Sequence, residues 1–135
     1  MPGQHPRSRH VSAWIARPAG EVYAFAAQPE NLPQWAAGLA GAVVRWDGSV
    51  WSTDSPMGTV TFTFAAPNDL GVLDHDVRLP SGDVVSNPLR VLPYEDASEV
   101  VFTLRQLPGM SDEDFERDAS MVAEDLARLK ALLER

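Results

Sequence analysis

Residues 111 to 134 carry one unbroken amphipathic period, and this stripe limits the possible folds more than any other stretch of the chain. At about 100° per residue, Phe115, Ala119, Val122, Leu126, Leu129 and Leu133 fall within roughly 40° of a single direction. Arg117, Glu124 and Arg128 occupy the opposite face. A stripe of that length needs a large apolar partner, and the residues before it alternate mostly with strand period. The chain must therefore lay a long terminal helix on a sheet, and any interior between the two is where function is to be sought.

The helix is well marked at its start. Pro108-Gly109 ends the preceding segment, Ser111 is a candidate N-cap, and Asp114 follows three residues later. Asp112, Glu113 and Asp114 suit the positive end of the helix dipole, while Arg128 and Lys130 suit the other end. Glu113–Arg117 and Glu124–Arg128 have the spacing of i, i+4 ion pairs.

Upstream, residues 1–8 are polar and proline-bearing and are expected to be a flexible N-terminal tail, with one domain over 9–135. From His10, Val11, Ala13 and Ile15 share one side of a first strand, opposite Ser12 and Trp14. Arg17-Pro18 ends it, and Val22, Phe25 and Ala26 have the spacing of a short helix to about Ala27. Residues 29–35 predict a turn and a second short helix closing near Gly38. Strands follow over 42–46 and 49–53, joined at Asp47-Gly48, then over 58–65, 72–79, 84–92 and 99–106. Pro88 inside one of them implies an edge position or a bulge. About seven strands in hairpin succession imply a twisted antiparallel sheet.

Composition excludes several classes. The chain contains no cysteine, so neither disulfides nor thiolate metal sites arise. Two of three histidines fall in the first ten residues, which disfavours a His-built metal site. A net charge of −8 repels phosphate backbones, so no nucleic-acid partner is expected. No apolar run approaches the length of a membrane span, and Met1 to His10 lacks a signal-peptide core. The expectation is a cytoplasmic domain without stable membrane insertion and without a cofactor, for which a homodimer is left open.

The order of elements, with the stretches 15–25 (Ile15-Ala16-Arg17-Pro18 through Phe25), Leu32-Pro33-Gln34-Trp35 and the terminal run from Ser111 to Leu129, resembles the START-related superfamily of lipid-transfer proteins, polyketide cyclases and plant pathogenesis-related proteins (SRPBCC). The resemblance covers nearly all of residues 9–135. It implies an α+β helix-grip fold, in which a curved antiparallel sheet grips the long helix around an apolar cavity. That superfamily shares a cavity and no catalytic motif.

His75 is the sharpest candidate for chemistry. It shares strand parity with Leu73, Val77 and Leu79, so it points with the apolar set, while Asp74, Asp76 and Arg78 point away. Asn87 shares parity with Val85, Leu89 and Val91. Asp118 lies about 60° from the centre of the helical stripe and can reach inward from its flank. Arg90 has outward parity unless Pro88 shifts the register by one residue, which would swing it into the cavity. Each also has a plain structural reading: an inward imidazole or amide satisfied by a backbone hydrogen bond, and a solvated acid on a helix flank. Phe62, Phe64 and Phe102 face the helix with Val60, Leu104, Phe115 and Val122, as core or, where the sheet curves away from the helix, as cavity lining, and Trp35 is placed at the cavity mouth. The expected ligand-binding set is Trp35, Phe62, Phe64, His75, Asn87, Phe102, Phe115 and Val122, with His75 the one catalytic candidate and no metal ligands.

Three functions fit these features. A carrier or sensor would hold a lipid-, polyketide- or isoprenoid-like molecule in the cavity. A cyclase or dehydratase would use His75 as acid or base on a reactive polyketide. An interaction module resembling the Hsp90-ATPase-activator branch would dock a partner on the outer sheet face, against which the polar outer positions Thr59, Thr61, Thr63, Asp74 and Asp76 argue.

Overall fold

Strand alternation starts two residues earlier than expected. In the computed structural model, which describes residues 5–36, 42–55 and 58–135, β1 runs Ser8–Ile15. Ile15 is buried, Val11 and Ala13 are half-buried, and Ser12 and Trp14 are exposed. Pro18 then precedes α1 (Ala19–Ala26), and a 3-10 turn (Pro29–Asn31) leads into α2 (Leu32–Trp35). Gly38, the expected end of the second helix, lies outside the described residues.

The remaining strands are β2 (Arg45–Trp46), β3 (Trp51–Ser55), β4 (Gly58–Phe64), β5 (His75–Arg78), β6 (Val84–Asn87), β7 (Leu89–Tyr94) and β8 (Ala97–Arg105). The β2–β3 turn is centred one residue later than Asp47-Gly48. Asp47 N–H bonds Val50 O across Gly48 and Ser49, and Gly48 takes φ 97° as the first central residue, the position where a twisted hairpin accepts glycine. The Asp47 carboxylate accepts from the N–H groups of Ser49 and Val50 and holds the turn closed.

Two antiparallel ladders form, in the orders β1-β8-β7 and β2-β3-β4-β5-β6. They are one bent sheet. The pair His75–Asn87 and the bridge Val72–Arg90 keep the same register on either side of Pro88. Leu73 N–H bonds Leu89 O and Val91 N–H bonds Gly71 O, so the segment 71–73 carries the β5 ladder onto β7. Counting β6 and β7 as one strand bent at Pro88 gives seven strands. Because the register does not slip, no bulge forms and Arg90 stays outside, paired with Asp74 through Nε and Nη2 at 2.9 and 2.8 Å.

Helix α3 (Asp112–Leu133) crosses β1 and β8 and touches α2. The Ser111 side chain caps it by accepting from Asp114 N at 3.0 Å. Phe115, Ala119, Leu126 and Leu129 are buried, while Val122 and Leu133 are half-buried. Arg17 explains the break after β1: its Nε donates to Leu133 O at 2.8 Å and its Nη2 to Arg135 O at 3.2 Å, satisfying carbonyls that the helix end leaves open. Ala16 N–H bonds Glu134 Oε2 beside it, and Lys130 Nζ reaches Trp14 O. The expected Glu124–Arg128 pair is replaced. Arg128 instead donates to Trp35 O at 3.0 Å and meets Asp125 at 3.4 Å, because the end of α2 offers a carbonyl beside the helix.

Two substitutions test this frame. Gly71 has φ 75°, and a Cβ there would run into the Val91 carbonyl oxygen. Gly71→Ala is expected to cost at least about 2 kcal/mol in urea unfolding, since left-handed strain and a backbone clash coincide at the seam of the sheet. Arg17→Met is expected to cost about 1–3 kcal/mol, the range for charged hydrogen bonds to otherwise open carbonyls; an unchanged denaturation midpoint would remove the latch from the account.

Candidate ligand-binding site

The bend at Pro88 creates the site. Proline has no N–H to give a neighbouring strand, and the chain divides there. β7 stays with β8, while β6 leaves with β5 as the edge of the five-stranded ladder. The divergence opens a groove of about 440 Å³, with Val85 and Asn87 on one side, Phe102 and Leu104 on the other, and Met121 and Val122 of α3 above.

Behind the groove lies a cavity of about 230 Å³. It brings together Trp35, Phe62, Phe64, His75, Phe102 and Val122, six of the eight residues expected to bind ligand. Asn87 lines the groove and not the cavity. Phe115 is placed elsewhere: it is fully buried and lies under the Arg7 guanidinium, 5.0 Å from its ring centre, so it is core at the far end of the helix. Helical phase alone put Phe115 with Val122, but two turns of helix separate them along the axis. Asp118 is half-buried on the groove wall.

Val60, expected to face the helix, lines the cavity too, as do Thr53, Val77, Leu89 and Asp125, which the sequence does not single out. Val60 and Val77 share parity with Phe62 and His75, a usable signal. Asp125 follows Val122 by three residues and precedes Leu129 by four, which sets a carboxylate beside the apolar stripe. Thr53 is fully buried, and its hydroxyl donates to Val43 O at 3.0 Å, so it adds no open donor. Trp35 packs its ring on the cavity, and its indole Nε1 is buried with no hydrogen-bond partner among the described residues.

His75 is held in one orientation by three contacts. Its Nδ1 lies 3.0 Å from Leu73 O. Its ring stacks on Phe64 at 5.0 Å and 19°, and Phe102 meets it edge-on at 6.2 Å. A carbonyl only accepts, so Nδ1 carries the hydrogen and Nε2 is left with its lone pair. Nε2 has no partner among the described residues. Burial pushes the imidazole pKa below its ordinary value; the Leu73 bond and the charges of Asp74 and Asp76 oppose that shift without reversing it. Those two carboxylates do not orient the ring. Asp74 is committed outside to Arg90 and to Leu89 N–H, bonds that hold its own pKa down, and Asp76 accepts from Ser86.

Elsewhere, a second hollow of about 270 Å³ lies between α1 and the β2–β3 hairpin, where Trp46 and Trp51 stand 5.3 Å apart. The outer face is polar along β4 and β5 as expected, but not along β1 and β7, where Trp14, Leu92 and Tyr94 are exposed and Trp14 meets Tyr94 edge-on at 5.7 Å. Among the described residues no cluster of three acidic or imidazole groups could hold a metal ion, and no helix is long and apolar enough to cross a membrane.

No protein-family profile matches the chain, and comparison with curated proteins finds no relative. Solved structures do match. An uncharacterised protein from Bacillus thuringiensis superposes with a TM-score of 0.73 at 16% identity, covering 96% of this chain and 100% of the other. The Zhui aromatase/cyclase from a Streptomyces species gives 0.71 at 16%, covering 97% and 95%. A START superfamily protein from Mycobacterium smegmatis gives 0.66 at 15%, covering 94% and 97%. Such likeness establishes the fold: α+β, helix-grip and START-like.

The state of His75 has a measurable consequence. Its folded pKa lies below the unfolded value near about 6.5, so between those two values the unfolded chain binds the extra proton. Its contribution to stability is therefore complete above about pH 6.5 and declines as pH falls toward the depressed folded value. Between pH 7.5 and 5.5 the wild-type Tm should drop further than that of His75→Gln; parallel drops would mean the imidazole is not desolvated.

Proposed function

We propose that this domain binds one small, largely apolar organic molecule between its sheet and its C-terminal helix, as a carrier or sensor of a lipid-, polyketide- or isoprenoid-like compound. The observation that carries this reading is a largely apolar cavity of about 230 Å³ whose polar lining is the His75 imidazole, with one nitrogen uncommitted, the Asp125 carboxylate and the engaged Thr53 hydroxyl. Apolar walls with few, fixed polar groups are the usual make-up of a small-molecule site: the walls supply affinity and the polar group supplies orientation. The bend at Pro88 places a groove against that cavity, so a ligand can pass from solution without separating α3 from β1. The reading takes the exchange to occur in the cytoplasm and invokes no cofactor.

A second reading, acid–base catalysis of the cyclase or dehydratase kind, is favoured by one feature. His75, a wall residue of the cavity, keeps its Nε2 unprotonated, in a fold also adopted by an aromatase/cyclase. Against it, the ring is oriented by a backbone carbonyl rather than a carboxylate, and the two neighbouring carboxylates are bonded elsewhere, Asp74 to Arg90 and Asp76 to Ser86.

The two readings part on one residue. Under the carrier reading, protein purified from cells releases a small molecule in native mass spectrometry, and His75→Ala weakens its rebinding by only about three- to tenfold, the worth of one hydrogen bond. Under the enzymatic reading, His75→Ala abolishes turnover of a polyketide substrate while binding stays near normal. Val122→Trp, which fills the space from the helix side, should eliminate binding; full binding by that variant would place the ligand outside the cavity.

A further inference from the structure

We infer that the ligand is an alkylphenol: one hydroxylated aromatic ring seated against His75, with its alkyl chain running out along the groove beneath α3. This rests on the cavity-binding reading above and adds the ligand's size, its polar group and its direction.

Size comes first. A dry cavity of about 150 Å³ accommodates benzene, so about 230 Å³ takes one ring with a few further atoms. Flat walls favour a ring. Phe64, Phe102 and Trp35 present aromatic surfaces, and aromatic pairs gain from stacked or edge-on contact beyond the area they bury.

The polar group follows from Leu73. Its carbonyl takes the Nδ1 hydrogen, and the sheet around it leaves no alternative orientation, since the ring is clamped by Phe64 and Phe102. His75 lines both the cavity and an outer hollow of about 340 Å³ beside Asp74, Asp76 and Asn87; we assign Nε2 to the cavity side, as an acceptor. A hydroxyl satisfies it; an ether or a ketone of the same shape cannot donate and would leave a desolvated lone pair facing a second acceptor. A phenol combines that donor with a ring of the right size.

Direction follows from the groove. It meets the cavity along Ala36, Phe102, Val122 and Asp125, which line both. Beyond them the surface continues apolar through Leu104, Leu107, Met110 and Met121, with Leu107 and Met121 exposed. With the hydroxyl fixed at His75, a chain on the opposite side of the ring is aimed at this exit. Flexible methionines suit a chain without fixed shape.

Calorimetric titration of the full chain with 4-propylphenol, 4-propylanisole, propylbenzene and 4-octylphenol tests each element. The phenol is expected to bind about tenfold tighter than the anisole. His75→Phe, checked for an intact fold by circular dichroism, should erase that difference while propylbenzene affinity stays within about twofold. Extending propyl to octyl should tighten binding at least about tenfold, and the surface change Met121→Lys should remove most of that gain without affecting 4-propylphenol. Equal affinity for phenol and anisole in the wild-type protein overturns the assigned hydroxyl, and no gain with chain length overturns the assigned direction; in both cases the cavity still binds. Failure of all four probes, propylbenzene included, overturns the cavity reading itself.

Discussion

Pro88 removes a donor from the strand at the point where it bends, and Asp74, the residue opposite it on the β5 side, supplies an acceptor for the next N–H along. The Asp74 carboxylate takes Leu89 N–H at 2.9 Å and locks Arg90 in a two-point pair, while Thr103 N–H takes the Pro88 carbonyl. The Leu89 N–H and the Pro88 carbonyl are thereby satisfied, and the strand changes partners without slipping register. The divergence of β6 from β8 follows, and with it the groove and the way into the interior. The Asp74–Arg90 pair is half-exposed, so its worth as an ion pair is small. Its part is geometric: it holds the outer side of a bend whose inner side is the site.

The same bend sets the chemistry inside. One step from Asp74, the Leu73 carbonyl turns back to the His75 ring, so the residues that manage the break also choose the tautomer. An imidazole with both nitrogens free could donate or accept and would tolerate many ligands. Committing one nitrogen to a carbonyl makes the other a pure acceptor, so under the proposed binding role the site would favour a ligand that donates a hydrogen bond.

Much of this was legible in the residues, for reasons that differ by element. The α3 stripe, its Ser111 cap and the inward parity of His75 are consequences of local period and survive any tertiary arrangement. Outward placement of Arg90 depended on whether Pro88 inserted a residue into the ladder. That was decided by the Asp74 side chain, a contact between positions sixteen apart that no local pattern encodes. Phase on the helix could not tell Phe115 from Val122, because angular position does not report depth along the axis. The Glu124–Arg128 pair fits the helix rule and fails because α2 brings the Trp35 carbonyl within reach. The start of β1 at Ser8 was hidden by a polar sequence that the sheet edge tolerates. In each case tertiary contact overrode or selected among local options.

An unfilled interior is expensive for a chain of this length. Residual cavity volume weakens a protein by about 24 cal/mol per Å³ in core-truncation series, so a void near 230 Å³ carries a penalty of a few kcal/mol, a large part of the stability of an ordinary domain. The lining has the means to avoid it: Val60, Val77 and Val122 are all smaller than the leucines and phenylalanines around them. Three valines and one imidazole line the space, while Arg17 ties down the helix end and Gly71 closes the seam. Under the proposed binding role, occupancy by a ligand would restore the lost contacts and raise stability with the logarithm of its concentration over its Kd, so stability and binding would be two measures of the same filled volume.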